Sequence, residues 1–430
     1  MLLIYTQKLT PRIDYSFKHI CTRILGIPVK FTSTIEEFIS HKGLKMSYGK
    51  QPLGNELFIF SHGLLTMQGF EDIEVVVKPW DETIGFFPSP EKSTLPFDIF
   101  SASFYLMSRY EEFLPHVKDE LGRFTAQESI AKKASFLDQP VVDIWAYKFK
   151  AVVLDCFPDI QFPNQQFKIH NLLEAKQPYA YLQRGLIKNF IGFGSDLFKF
   201  RIRRFFERLR VLLYLRKDPY DTFNWVINAK KNSSSQLTVF FLLGEGYTFS
   251  EDFNTKREKF KSLVKHVGDY TEIGLLFSFH SLKDYQQLKK EKKNLEEVTH
   301  RPLKSTSNDK QLVDLPTIYR DLVELEVARD FTMFYHDELG FRAGTCTPFL
   351  YYDLDHELKT PLLIHPVVGT TTIVNDQGVA KVEPQILQLY EQVQKVNGTF
   401  SLMFANTDFM QGKEQRIWRY LFSKKLNVYA

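Results

Sequence analysis

Residues 237–277 read LTVFFLLGEGYTFSEDFNTKREKFKSLVKHVGDYTEIGLLF, and this stretch decides the fold class. Apolar runs at Leu237–Leu243 and Ile273–Phe277 predict strands, and the amphipathic spacing over 254–266 predicts a helix between them. A strand, a helix and a second strand in that order make a parallel βα unit. Working outward, the same alternation continues. A strand is expected near 169–175, helices over 184–215, 282–298 and 316–326, a strand at Pro361–Pro366, a helix over 383–396 and a strand at Thr399–Phe404. Six or more such units point to a barrel-like closure.

The first part of the chain alternates on a smaller scale. Strands are expected at 2–5, Val29–Phe31 and Leu57–Phe60, with helices over 15–26, 33–39 and 142–154. Between Phe97 and Phe113 the aromatics fall at helical spacing and read as core. Pro158 and the polar run Pro163–Lys168 mark a boundary, so we expect a smaller α/β domain over 1–160 and the barrel over 161–430.

Composition bounds the function. A net charge of +4 over 430 residues is too small to announce a nucleic-acid binder. Cys21, Cys156 and Cys346 have no metal-ligand spacing and cannot form a disulfide framework, which fits a reducing, cytoplasmic setting. There is no leader pattern and no apolar run of membrane-spanning length. Residues 199–217, KFRIRRFFERLRVLLYLRK, mix six Arg with Phe, Leu and Val. They fit either peripheral contact with an anionic membrane or lipid-linked substrate, or a basic helix that packs its apolar face on the barrel; we favour the second. Asp218-Pro219-Tyr220-Asp221 is expected to cap the following helix.

The stretch GFRAGTCTPFLYYD, residues 340–353, is poor helix and poor regular strand. Gly340 and Gly344 allow unusual backbone angles, and Arg342 offers a planar fork for a carboxylate or a sugar hydroxyl, so it reads as a loop that positions groups. The alternative is an Arg that pairs with a buried acid.

PLGNELFIFSHGLL (52–65), LPFDIFSASFYLMSRYEEFLPH (95–116), VVDIWAYK (141–148), YAYLQRGLIKNFIGFGSDL (179–197), KDPYDTFNWV (217–226), FFLLGE (240–245), GFRAGTCTPFLYYDL (340–354) and LLIHP (362–366) carry a resemblance. The chain resembles the polysaccharide deacetylase, or NodB-homology, family of carbohydrate esterases. More narrowly, it is similar to a bacterial subgroup whose distorted (β/α) barrel follows an uncharacterised N-terminal domain. The resemblance implies hydrolysis of an acetyl group from an N-acetylated sugar, with a carboxylate base, a divalent metal held by Asp and two His, and a late His acid.

Measured against that pattern, the subgroup's Asp-Ile-Asp falls on Glu174 and Lys176, and its metal His falls on Leu276. Its Ser-Arg-Gln-His loop reads Thr306-Ser307-Asn308-Asp309, and its late Leu-Trp-His-Asn reads Met403-Phe404-Ala405-Asn406. An ammonium and a leucine hold no metal. His280 is the only remnant of a ligand set, so we expect no cofactor; a divalent metal such as zinc enters only if the chain still hydrolyses. Arg342, Asp353 and His365 stand where the resemblance expects them. Lys176 is expected to take the cation's place and pair with Glu174 or Asp309.

The resulting expectation is a non-catalytic, deacetylase-like protein that binds a glycan or lipid-linked saccharide through Arg342, Lys176, Tyr179, Tyr181 and Asp353. A hydrolase using Glu174, His280, His365 or Asn406, and a scaffold acting through the N-terminal domain, are the alternatives.

Overall fold

In the computed structural model, residues 1–248, 251, 253–375 and 378–425 are described. The chain opens with β1 (Leu2–Tyr5), α1 (Pro11–Phe17), β2 (Val29–Thr32), α2 (Ile35–Ser40), β3 (Lys45–Gly49) and β4 (Leu57–Phe60), whose strands form a parallel sheet in the order β2-β1-β3-β4. Thr10 caps α1 through its side-chain oxygen and Pro11 occupies the first turn, so the helix starts four residues earlier than expected. It passes at Lys18 into a π-helical turn that runs to Ile24. A short hairpin, β5 (Lys78–Trp80) and β6 (Thr83–Gly85), precedes α3 (Ile99–Met107), α4 (Ile130–Lys133) and α5 (Val141–Cys156). Every residue of α3 is buried, as its aromatic spacing predicts.

The second set of elements is β7 (Lys168–Ala175), α6 (Leu186–Phe198), α7 (Ile202–Leu212), α8 (Phe223–Lys231), β8 (Gln236–Leu242), α9 (Glu258–Gly268), β9 (Glu272–Phe277), α10 (Tyr285–Thr299), β10 (Ser305–Asn308), α11 (Thr317–Glu324), β11 (Arg329–Asp330), β12 (Phe349–Asp353), β13 (Leu358–Ile364), α12 (Thr371–Asn375), α13 (Val379–Lys395), β14 (Thr399–Ala405) and α14 (Lys413–Ser423). Seven strands run parallel in the order β13-β11-β10-β9-β8-β7-β14, with β12 antiparallel against β13.

The expected barrel closure is corrected here. The sheet curls, but β12 and β14 form its two ends and do not pair. β12 folds back antiparallel and takes the β13 edge that closure would need. The chain after β13 crosses the gap instead, with Val368 donating to Ser401 O at 2.9 Å and Met403 donating to Gly369 O at 3.0 Å. Inside the curl, Leu172, Phe240, Leu276, Phe331, Val367 and Met403 pack as a separate small core. Leu276 is therefore an interior packing residue.

Candidate functional site

Side chains alternate along a strand. In β7 this sends His170, Leu172 and Glu174 into the curl, with Glu174 at its C-terminal mouth and Lys176 just beyond. Across the mouth, β10 ends at Asn308 and Asp309 follows. Lys176 Nζ lies 2.7 Å from Asp309 Oδ1 and 3.2 Å from Glu174 Oε1. The pairing expected of Lys176 is therefore present. Asp309 is fully buried and Glu174 is 4% exposed. The backbone N–H of Lys310 also donates to Asp309 Oδ1, at 2.9 Å, while Asp309 Oδ2 is buried with no hydrogen-bond partner among the described residues. Lys310 and Gln311 both adopt left-handed backbone angles, φ 56° and 54°, a costly conformation for non-glycine residues.

Burial pushes the Glu174 carboxyl up, and the Lys176 charge opposes it only in part. Burial alone would lower the Lys176 ammonium; Glu174 and Asp309 more than reverse this and hold it protonated. The imbalance has a physical origin: the cation has two carboxylates to itself, whereas the carboxylates share one cation. Asp408, which the sequence reading missed, stands close enough to feel Glu174. Burial pushes it up to about 6, although it accepts from Thr371 Oγ1 and from Ala405 N.

A divalent metal does not fit this mouth. The ammonium sits between the two carboxylates that would have to turn toward the ion, and a permanently charged lysine offers no lone pair. Among the described residues, no group of three His, Cys, Asp or Glu is arranged to hold one.

Of the other expected site residues, Asn406 and His280 lie near this mouth, whereas Arg342, Asp353 and His365 lie elsewhere. Arg342, expected at a ligand, is 2% exposed and bidentate to Glu112 at 2.9 and 2.7 Å, with its third nitrogen on Phe334 O at 3.2 Å. Arg109 completes the cluster through Glu112 at 2.7 Å and Glu111 at 2.8 Å, and it also donates to Arg342 O. The two guanidinium groups hold the Glu112 carboxyl, against burial, down to about 2. Asp353 is likewise engaged. Arg320 grips it at 2.6 and 2.8 Å, and the N–H groups of Asp355 and His356 donate to it at 3.1 Å each.

The whole 340–353 stretch is a strut rather than a cleft wall. Its last five residues are β12, and Asp143 of α5 accepts from Thr345 Oγ1 at 2.7 Å, Cys346 N at 2.9 Å and Thr347 Oγ1 at 2.6 Å. Gly344, at φ +64°, lies so close to Leu106 that a Cβ would come within 2.6 Å of its Cδ1.

His365 belongs to the other end of the curl. Its ring stacks on Phe331 at 4.4 Å and meets the His170 ring edge-on at 6.0 Å. His170 lies four residues before Glu174 on one strand, roughly 13 Å away. Burial lowers His365 to about 3 and His170 to about 4, so neither carries charge near neutrality. Asn406 does sit near the mouth, but both hydrogens of its amide are committed, to Gln177 O at 3.0 Å and Tyr220 O at 2.9 Å. It fixes the loop after Lys176 and is no acid. His280 is exposed on the rim, stacked with Tyr247 at 6.0 Å.

Two cavities flank the mouth. A groove of about 1210 Å³ between α9 and α10 is lined by His280, Ser278, Asn254, Lys261, Lys290 and Glu291, among others. A cavity of about 780 Å³ beside α7 is lined by Tyr181, Arg204, Arg208, Arg216, Trp225 and Arg419, among others. Tyr181 is 4% exposed, with the Arg208 guanidinium 4.7 Å above its ring; Tyr179 is half-buried, 6.1 Å from Phe253. Asp218 does not cap α8 as expected. Its carboxylate accepts from the N–H groups of Ala180, Tyr181 and Leu182 at 2.8 to 3.0 Å and so shapes the wall of this cavity.

Residues 2–158 match the model of a family of unknown function (DUF7033). No curated protein matches the sequence. Among solved structures, one titled "Crystal structure of putative polysaccharide deacetylase from Mycobacterium smegmatis" is similar at 12% identity and a TM-score of 0.37, over 63% of this chain and 87% of that chain. Values of that size mark a loose likeness.

Proposed function

We propose that this chain is a saccharide-binding protein that does not carry out metal-dependent deacetylation. The observation that carries the reading is the Lys176 ammonium clamped between Glu174 and Asp309, which fills the mouth of the curled sheet with a neutralising ion pair. A lysine held protonated is not a nucleophile, and a carboxylate committed to it is a poor base toward water. Binding falls to the flanking cavities. Their mixture of aromatic faces and Arg or Lys suits a sugar with acidic or phosphorylated substituents, because rings stack on aromatic faces and oxygens accept from guanidinium forks.

The test combines three measurements on the purified full chain: elemental metal content, acetate release from chitooligosaccharides, and thermal shift with acetylated and acidic oligosaccharides. The expected result is no stoichiometric metal, no acetate, and a raised melting temperature with at least one saccharide class. One equivalent of zinc or cobalt together with acetate release would overturn the reading in favour of a hydrolase. A melting temperature unmoved by every saccharide would favour the scaffold alternative.

A further inference from the structure

α6 and α7 form a hairpin built inside out. Of their four buried positions three are polar: Asn189 of α6 is 8% exposed, Asp196 of α6 3% and Arg208 of α7 7%, with Val211 of α7 the apolar exception. Arg208 binds Asp196 Oδ2 at 2.9 and 3.1 Å and reaches Asn189 Oδ1 at 3.4 Å. The two helices approach so closely at Gly192 that a Cβ there would overlap the Arg208 guanidinium, at 2.2 Å. Most of the apolar residues point the other way. Leu186, Ile187, Phe190, Phe198 and Phe200 are 74 to 86% exposed. Of the 24 large hydrophobic side chains exposed among the described residues, 13 lie between 186 and 215. An amphipathic helix on a water-soluble surface turns its apolar stripe inward; this hairpin does the reverse. The expectation that the basic helix packs its apolar face on the barrel holds for Val211 and Leu212, which pack with Ala180 and Tyr181, and is corrected for the exposed residues.

Charge decides what covers the face. Residues 186–217 hold nine Lys and Arg against two acids, Asp196 and Glu207. A second copy of the chain would set two such basic surfaces against each other, whereas anionic lipid headgroups would neutralise them. Thirteen residues of α6 span about 20 Å, short of the roughly 30 Å hydrocarbon core, so a lying rather than crossing geometry is required. No described helix is long and apolar enough to cross a membrane.

We infer that the 186–215 hairpin is a monotopic membrane anchor. Its Phe- and Leu-rich face dips into the headgroup–acyl boundary of a bilayer that contains anionic lipid, with Lys199, Arg201, Arg203 and Arg210 resting against the phosphates. The inference is independent of any saccharide. It deepens the expectation of membrane contact through 199–217 by adding α6 and the inverted packing.

Vesicle flotation of the full chain tests it, comparing phosphatidylcholine alone with about 30% phosphatidylglycerol. The anionic vesicles should bind at least about tenfold more protein and release most of it at high salt. Phe190→Ser/Phe198→Ser/Phe200→Ser should lose at least about tenfold in binding while keeping the circular-dichroism melt, since all three side chains are exposed. Arg201→Glu/Arg203→Glu should abolish the preference for anionic lipid. Equal binding to both vesicle types, no binding, or a Phe variant that still binds would each overturn the inference. So would sedimentation as a dimer that the Phe variant dissociates, because the face would then belong to a second copy.

Discussion

Replacing Lys176 by methionine keeps an unbranched side chain of similar length and deletes the ammonium. Asp309 and Glu174 then face each other across the mouth with no ammonium between them, at 0% and 4% exposure. Each Nζ–O contact of about 3 Å is worth roughly 5 kcal/mol of gross attraction at an effective dielectric near 20. Removal of the Lys176 charge, whose side chain is 22% exposed, recovers part of this, so the net loss should be about 3–5 kcal/mol near pH 8. The loss should shrink in acid. Without Lys176 the Glu174 carboxyl, already raised by burial, rises further. A carboxyl whose folded value lies above its unfolded value stabilises the fold at low pH and loses that contribution as pH climbs through the folded value. The deficit of K176M should therefore be small at pH 5 and large at pH 8, measured as urea midpoints at constant slope. Adding D309N should restore more than half of it. A deficit under about 1 kcal/mol at pH 8, or one equal at both pH values, would refute the clamp.

Three further outcomes follow from the same kind of reasoning. R342K replaces a bidentate fork with a point charge and should cost about 2–4 kcal/mol in urea unfolding, with no change in saccharide binding; a binding defect without a stability loss would return Arg342 to a ligand role. His365 is neutral when folded, at about 3 against the ordinary 6.5, so it contributes stability above pH 6.5 that is lost as pH falls toward 3. H365F should lower the acid slope of stability between pH 6 and 4 by about 1.4 kcal/mol per pH unit, and an unchanged slope would contradict the neutral assignment. Asp408, pushed up to about 6, costs stability as pH rises from about 4 to 6, so D408N should gain on the wild type in melting temperature between pH 4 and 8; a gap that does not move with pH would argue against its burial.

What the residues disclosed depended on whether the signal was local. β8 and β9 are nearly unbroken apolar runs bounded by polar turns, so they are legible alone. β10 reads Ser-Thr-Ser-Asn, is buried throughout, and carries no hydropathy signal. Its backbone pairing with β9 and β11 makes it a strand, and only the assembled sheet supplies that. The Lys176 pairing could be anticipated because an ammonium placed among inward carboxylates must find one. Arg342 could not be placed, since its partner Glu112 lies 230 positions away and is chemically unremarkable in sequence. For the hairpin, periodicity revealed an apolar stripe but not its direction. The clue that would have supplied the direction was the complementary stripe of Asn189, Asp196 and Arg208, polar residues able to satisfy one another in the interior.

The Arg109–Glu112–Arg342 cluster and the Asp143 strut have a consequence for how this chain can be divided. The stretch matched by the family model ends at residue 158, yet Glu112 and Asp143 within it find Arg342, Thr345, Cys346 and Thr347 only beyond it. A fragment cut there would bare two carboxylate seats made for groups it no longer owns. The first 158 residues are thus half of a lock, and any graft of a different barrel behind them would have to bring its own key: an arginine and a Thr-Cys-Thr turn at the matching places.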